Sequence, residues 1–162
     1  MKKLSTLKKS LVMALSVVSF SIASVSASQA APAMNEVTAV SQSKISLEQA
    51  MALANKAVKG DIISADFDQE DRNANSHYDI NIITNNNEQE VSVNANTGKI
   101  TKGDTERLDK EDLAEYKAMK QAKVSWSQAI KKANQTLKGK VLEVEFNMDF
   151  GKPVYKVEIG KG

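Results

Sequence analysis

The sequence contains no cysteine and a single histidine, and its 162 residues include only one Trp, three Tyr and four Phe. Without cysteine there is no disulfide framework, no thiol nucleophile and no lipid-modified cysteine behind a leader, so an exported product is expected to be soluble. One histidine leaves no multi-histidine metal centre to be built. No serine stands in a G-x-S-x-G setting, the strand-to-helix turn that exposes a nucleophile. Stability therefore has to come from packed apolar cores alone, and two units of about 60 residues would each be marginal.

Long apolar runs are also scarce, and the one that exists lies near the start. "MKKLSTLKKS" carries Lys2, Lys3, Lys8 and Lys9 with no acid, "LVMALSVVSFSIASV" follows, and "SASQA" supplies small residues. A charged beginning, a short apolar run and a small-residue exit describe a secretory signal peptide over residues 1–30, cut after Ala30 or after Ala27. A membrane anchor fits less well. A spanning helix needs about 20 strongly apolar residues, and Ser16, Ser19, Ser21 and Ser24 interrupt this run. The product is expected to be secreted, periplasmic or associated with the cell envelope, meeting the membrane only transiently through the leader. That leader holds four of the 22 basic residues and none of the 20 acidic ones, so residues 31–162 carry a formal charge of −2. The electrostatic footprint of a nucleic-acid partner is missing.

What the sequence does have is a phrase written twice. "SLEQAMALANKAVKG" from Ser46 returns as "SWSQAIKKANQTLKG" from Ser125, 79 positions on. The same offset matches Phe67 with Phe146, and with two residues dropped from a loop Tyr78 matches Tyr155 and Ile82 matches Ile159. Each phrase reads as a helix marked at both ends. Ser46 with Gln49, and Ser125 with Gln128, fit the capping box. Ile45 with Ala50, and Val124 with Ala129, stand at the positions of a hydrophobic staple. Gly60 and Gly139 stand where a helix can end in the left-handed conformation. Leu47, Met51, Ala54 and Val58 draw one apolar stripe, and Trp126, Ile130, Ala133 and Leu137 draw it again; such stripes face a core.

Past each glycine the period falls from 3.6 to 2. "DIISADFD" and "HYDINIIT" in the first copy, and "KVLEVEFN" and "VYKVEIG" in the second, read as strands. The first copy returns along "EQEVSVNA" and turns through "NTG". The fold class is thus α+β: two tandem helix-strand-strand-strand units, each with one helix on a small antiparallel sheet. Residues 31–44 are expected to be a flexible lead-in, 45–100 the first unit, 101–123 a charged connector helix with a thin seam of Leu113, Tyr116 and Met119, and 124–162 the second unit. The second unit stops three residues after Ile159 and has no closing strand. Either the chain is a shortened form of a longer product, or the second sheet is built with an open edge. Such an edge bares unpaired backbone groups that a partner strand could cover.

"ISLEQAMALANKAVKGDIISADFD", "YDINI" and "EVSVNANTGKI", with "VSWSQAIKKANQTLKGKVLEVEF" and "YKVEI" in the second copy, resemble the PepSY domain family. The closing "VNANTGKI" is similar to that family's V-D-A-x-T-G-x-V ending, with Asn94 where Asp is usual. The resemblance implies an exported protein-binding module. Such domains occur in propeptides of secreted thermolysin-like metallopeptidases, in a spore germination protein and in small exported tandem proteins. A partner would then be a secreted metallopeptidase, restrained by the module, or another envelope protein that it scaffolds.

Little in the sequence points to chemistry. His77 reads as a surface or strand-edge residue. "DFDQED", Asp66–Asp71, is the best candidate for calcium, but the sixth place of a calcium loop wants glycine and holds Asp71; Asp66 and Asp68 are expected to face solvent on either side of a buried Phe67. No catalytic, cofactor-binding or metal-binding residue is assigned, no cofactor is expected, and the chain reads as a non-enzyme.

Overall fold

The structure is a computed structural model that describes residues 17–19, 24–30, 34–69, 76–122 and 124–160, with side chains from Val37 onward. Residues 1–16 and 20–23 of the expected leader lie outside the described residues. Two short strands come first, β1 (Val17–Ser19) and β2 (Ser24–Ala30), then helix α1 (Met34–Gln42). The first copy follows as α2 (Leu47–Ala57), β3 (Asp61–Asp68), β4 (His77–Thr84), β5 (Asn87–Asn94) and β6 (Ile100–Arg107). After α3 (Lys110–Gln121) the second copy supplies α4 (Trp126–Thr136), β7 (Lys140–Asp149) and β8 (Lys152–Gly160).

The repeated helices form as their ends dictate. In α2 the Gln49 amide N–H donates to Ser46 Oγ (3.2 Å) and the Ser46 N–H donates to Gln49 Oε1 (2.9 Å). The same pair of bonds recurs between Ser125 and Gln128 at 3.3 and 3.0 Å. Each box satisfies two of the four donors that a helix start leaves open. The helix ends differ from expectation. Val58 and Leu137 are the C-caps, both extended, and neither Gly60 nor Gly139 has a positive φ. These glycines are needed for room instead. A Cβ on Gly60 would lie 2.2 Å from the Ile83 carbonyl oxygen, and one on Gly139 2.3 Å from that of Gly160.

The strands of both copies make one continuous sheet, in the order β1-β2-β8-β7-β3-β4-β5-β6 among the described residues. β3 through β8 pair antiparallel throughout. The join between copies is β3 on β7, with Ser64 opposite Glu145, Ala65 opposite Val144 and Asp66 opposite Glu143. Ala65 and Val144 are 79 positions apart, so equivalent residues of the two copies face each other. The copies are therefore related by a local two-fold axis through that pair, normal to the sheet. Such an axis keeps faces on their own side, which places α2 and α4 over the same face. Both copies also share a bulge, at Ile62–Ser64 in β3 and at Val141–Glu143 in β7, where one extra residue bends and twists the strand.

A single apolar cluster runs under both helices, from Leu47 and Ala54 through Tyr78, Ile80, Ile82, Val91 and Val93 to Ile130, Val144, Val157 and Ile159. Trp126 links the copies. Its indole N–H donates to the Ile62 carbonyl of the first copy at 2.7 Å, and its ring meets Tyr155 edge-on at 4.8 Å between centroids. Tyr78 OH donates to the Ile45 carbonyl (2.7 Å), fastening the entry of α2 to the sheet. The Asn94 side-chain oxygen accepts the N–H groups of Asn96 and Thr97, both at 2.9 Å, and shapes the closing turn.

Two stretches differ from the sequence reading. Met34–Gln42, expected as a flexible lead-in, is a helix that buries Val37, Ala39 and Val40. The expected connector helix begins only at Lys110, because residues 100–107 form β6 beside β5; as an edge strand with mostly exposed residues, it shows no alternation. The helix that follows, α3, opens on an Asp109–Asp112 capping box and is tied to β3 through Asp61, which accepts from Tyr116 OH (2.5 Å) and Lys120 Nζ (3.0 Å). Ser24–Ala30, the end of the expected leader, lies in the sheet of the full chain as β2.

Candidate functional site

The two-fold relation shows where the two copies differ among the described residues. β3 corresponds to β7 and β4 to β8. In the first copy β4 is covered along its far side by β5, from His77–Asn94 to Thr84–Asn87. Among the described residues the second copy has no strand of its own beyond β8. The far side of β8 is covered by β2, in parallel, from Ser24 opposite Val154 to Ala30 opposite Gly160. β2 and β1 thus stand where β5 and β6 stand in the other half. The backbone groups of Val154–Gly160 are a strand-accepting edge, and the segment that pairs with them here ends at Ala30, one of the two expected cleavage positions. A row of extended backbone donors and acceptors binds peptide chain as a sheet binds its next strand.

A second polar feature crosses the face opposite the helices. Glu158, Glu143, Asp66 and Asp79 follow one another in register across β8, β7, β3 and β4. Like charges placed opposite one another oppose ionisation. Burial, then the carboxylates of Asp79, Glu143 and Asp68, push the Asp66 carboxyl up to about 7, with His77 acting the other way. The adjacent row is balanced: Lys156 lies 3.6 Å from the buried Glu145, and Asn81 Nδ2 donates to Ser64 Oγ (3.0 Å).

At one end of the acidic row, His77 Nε2 is 3.3 Å from Asp79 Oδ2, and Ser92 Oγ donates to the other oxygen of Asp79. Asp68 is opposite His77, and donor atoms of Asp68, His77 and Asp79 fall within 4.8 Å of one another. One imidazole with two carboxylates is a donor set of the kind that takes a divalent first-row cation.

The expected calcium loop is not what brings these groups together. Asp66, Phe67 and Asp68 belong to β3, while Glu70 and Asp71 lie outside the described residues. Phe67 is buried and Asp68 exposed, in keeping with the alternation, but Asp66 is half-buried because Glu143 of the other copy stands beside it. His77 begins an interior strand rather than an edge. Sequence spacing could not pair Asp68 with His77, since eight residues without a turn signature separate them.

The class that the fold defines is a duplicated α+β unit whose sheet can accept a further strand along β8. The chain belongs to the PepSY family: the family described as peptidase propeptide and YPEB domain matches residues 44–104 and 123–162, more than half of the chain. The first matched segment extends into β6. Among solved structures, a candidate lipoprotein of Clostridium difficile 630 is similar, with 24% identity and a TM-score of 0.49, covering 78% of this chain and 86% of that one. No curated protein matches the chain.

Proposed function

We propose that this chain is exported and acts outside the cytoplasm as a non-enzymatic binding module that docks on a secreted peptidase and restrains it. The observation that carries this reading is the far side of β8. In the exported chain, freed of residues 1–30, the segment Ser24–Ala30 that pairs with Val154–Gly160 is gone and the edge is open to a strand of the partner. Strand addition supplies affinity through main-chain bonds and does not require a reactive side chain. The description of the family as a peptidase propeptide domain supports the choice of partner.

The test is a titration of residues 31–162 against a secreted thermolysin-like peptidase from the same organism, following residual activity and the intact mass of the added chain. A saturable loss of activity at unchanged mass is expected. Full activity with the chain digested would make it a substrate, and full activity with the chain intact would favour an envelope scaffold.

A further inference from the structure

The turn between β7 and β8 breaks a rule of turn chemistry that the chain obeys elsewhere. Asp149 and Lys152 pair across the end of the hairpin, and the two residues between them both have positive φ, +48° at Phe150 and +74° at Gly151. Positive φ at both central positions belongs to the I′ hairpin turn, which suits Asn, Asp and Gly. The first copy builds such a turn between β4 and β5 from Asn85 and Asn86, with φ of +50° and +59°. The second hairpin puts an aromatic residue where the left-handed backbone is disfavoured by its Cβ and ring. Nothing local compensates, because the Phe150 side chain is 98% exposed, the one exposed large hydrophobic among the described residues. A single exposed apolar residue is ordinary. One that is held in an unfavourable conformation and buries nothing marks a position kept for another purpose.

The hairpin carries this ring at the end of a two-stranded arm. β3 and β7 pair only at Ser64–Asp66 with Glu143–Glu145, so beyond Glu145 strand β7 continues with β8 alone, paired through Phe146–Tyr155 to Asp149–Lys152. An aromatic ring with two side-chain torsions on a paired backbone loses little freedom when it is bound. The same hairpin carries the strand-accepting side of β8, so tip and edge form one continuous surface.

We infer that Phe150 is the anchor that seats the β7–β8 hairpin in an apolar pocket of the peptidase, an inference that rests on the function proposed above. A protein pocket fits better than a lipid surface. Binding at a bilayer surface takes a broad apolar face with basic surroundings, whereas here one ring stands alone between Asp149 and Lys152, whose charges offset, in a mature chain of net charge −2. A lone aromatic residue in a dry pocket is the usual form of a protein–protein hot spot.

The experiment repeats the titration of residues 31–162 with Phe150→Asn and Phe150→Leu, and measures urea unfolding of each. Asn suits the turn, so Phe150→Asn should unfold at the same or a higher urea concentration than the parent while inhibiting at least about tenfold less well, the loss expected for a hot-spot residue. Phe150→Leu, which keeps apolar bulk, should fall between. Equal inhibition by the parent and Phe150→Asn overturns this inference and leaves the proposed function standing. No inhibition by any of the three overturns both. Co-sedimentation of the parent, but not of Phe150→Asn, with phosphatidylglycerol vesicles would assign the ring to a lipid surface and overturn the pocket.

Discussion

Replacing Asp66 with Asn should stabilise the protein, and should do so only when the pH is high enough for a carboxylate to ionise. In the folded chain the Asp66 carboxyl titrates at about 7 rather than the usual 3.8. Between those values the folded state holds a proton that the unfolded state has already released. Stability from this group is therefore greatest below the unfolded value and is lost as pH rises toward 7. Moving a titration midpoint by one pH unit takes about 1.4 kcal/mol, which sets a ceiling of about 4 kcal/mol for the loss. Asn at this position keeps the shape, cannot ionise, and also relieves Asp79, Glu143 and Asp68 of a neighbouring charge. At pH 8 the variant should be more stable than the parent by about 2–4 kcal/mol, and at pH 4 the two should agree within about 0.5 kcal/mol. Trp126, the chain's one tryptophan, is tied to Ile62 and packed on Tyr155, so its fluorescence can follow urea unfolding at both pH values. A gain of equal size at pH 4 and pH 8 would refute the argument, because it would have to come from packing rather than from charge. A loss at pH 8 would refute it outright.

Two further perturbations test the frame around the site. Gly60→Ala and Gly139→Ala each force a Cβ against a backbone oxygen that cannot step aside, and each should cost about 3 kcal/mol in urea unfolding. Gly151→Ala meets open space and should cost only about 1 kcal/mol, for its left-handed backbone; equal costs at all three would undo the close-approach account. Trp126→Phe keeps a ring against Tyr155 but leaves the Ile62 carbonyl without its indole donor, and should cost about 1–2 kcal/mol by circular dichroism. No measurable loss would mean that water replaces the bond and that Trp126 does not tie the copies.

Much of this architecture is legible because local signals repeat. Ser46 and Ser125 announce their helices with the same box, and Tyr78 and Tyr155 announce the same face of the same strand. What the pattern could not convey is which strand neighbours which. "DIISADFD" and "KVLEVEFN" read alike whether each is an edge of its own sheet or half of a shared seam, and the burial of Asp66 follows from that seam alone. β6 hides because a doubly exposed strand has no apolar period, and α1 hides because Val37 and Val40 make too short a stripe. Phe150 is illegible for a different reason. An aromatic residue next to alternating Phe146 and Met148 reads as more strand, and only the backbone angles reveal that it turns.

The seam between β3 and β7 has a bearing on the order in which the molecule assembles. Its central partners are 79 residues apart, whereas β3, β4, β5 and β6 follow one another as a meander. Contacts between distant parts of a chain form more slowly than local ones, because a long loop must close first. A chain that emerges amino-terminus first can complete the four-stranded half before Glu143 arrives. Ser64, Ala65 and Asp66 are then already extended, and the shorter half condenses on them as a template. That half need never fold alone.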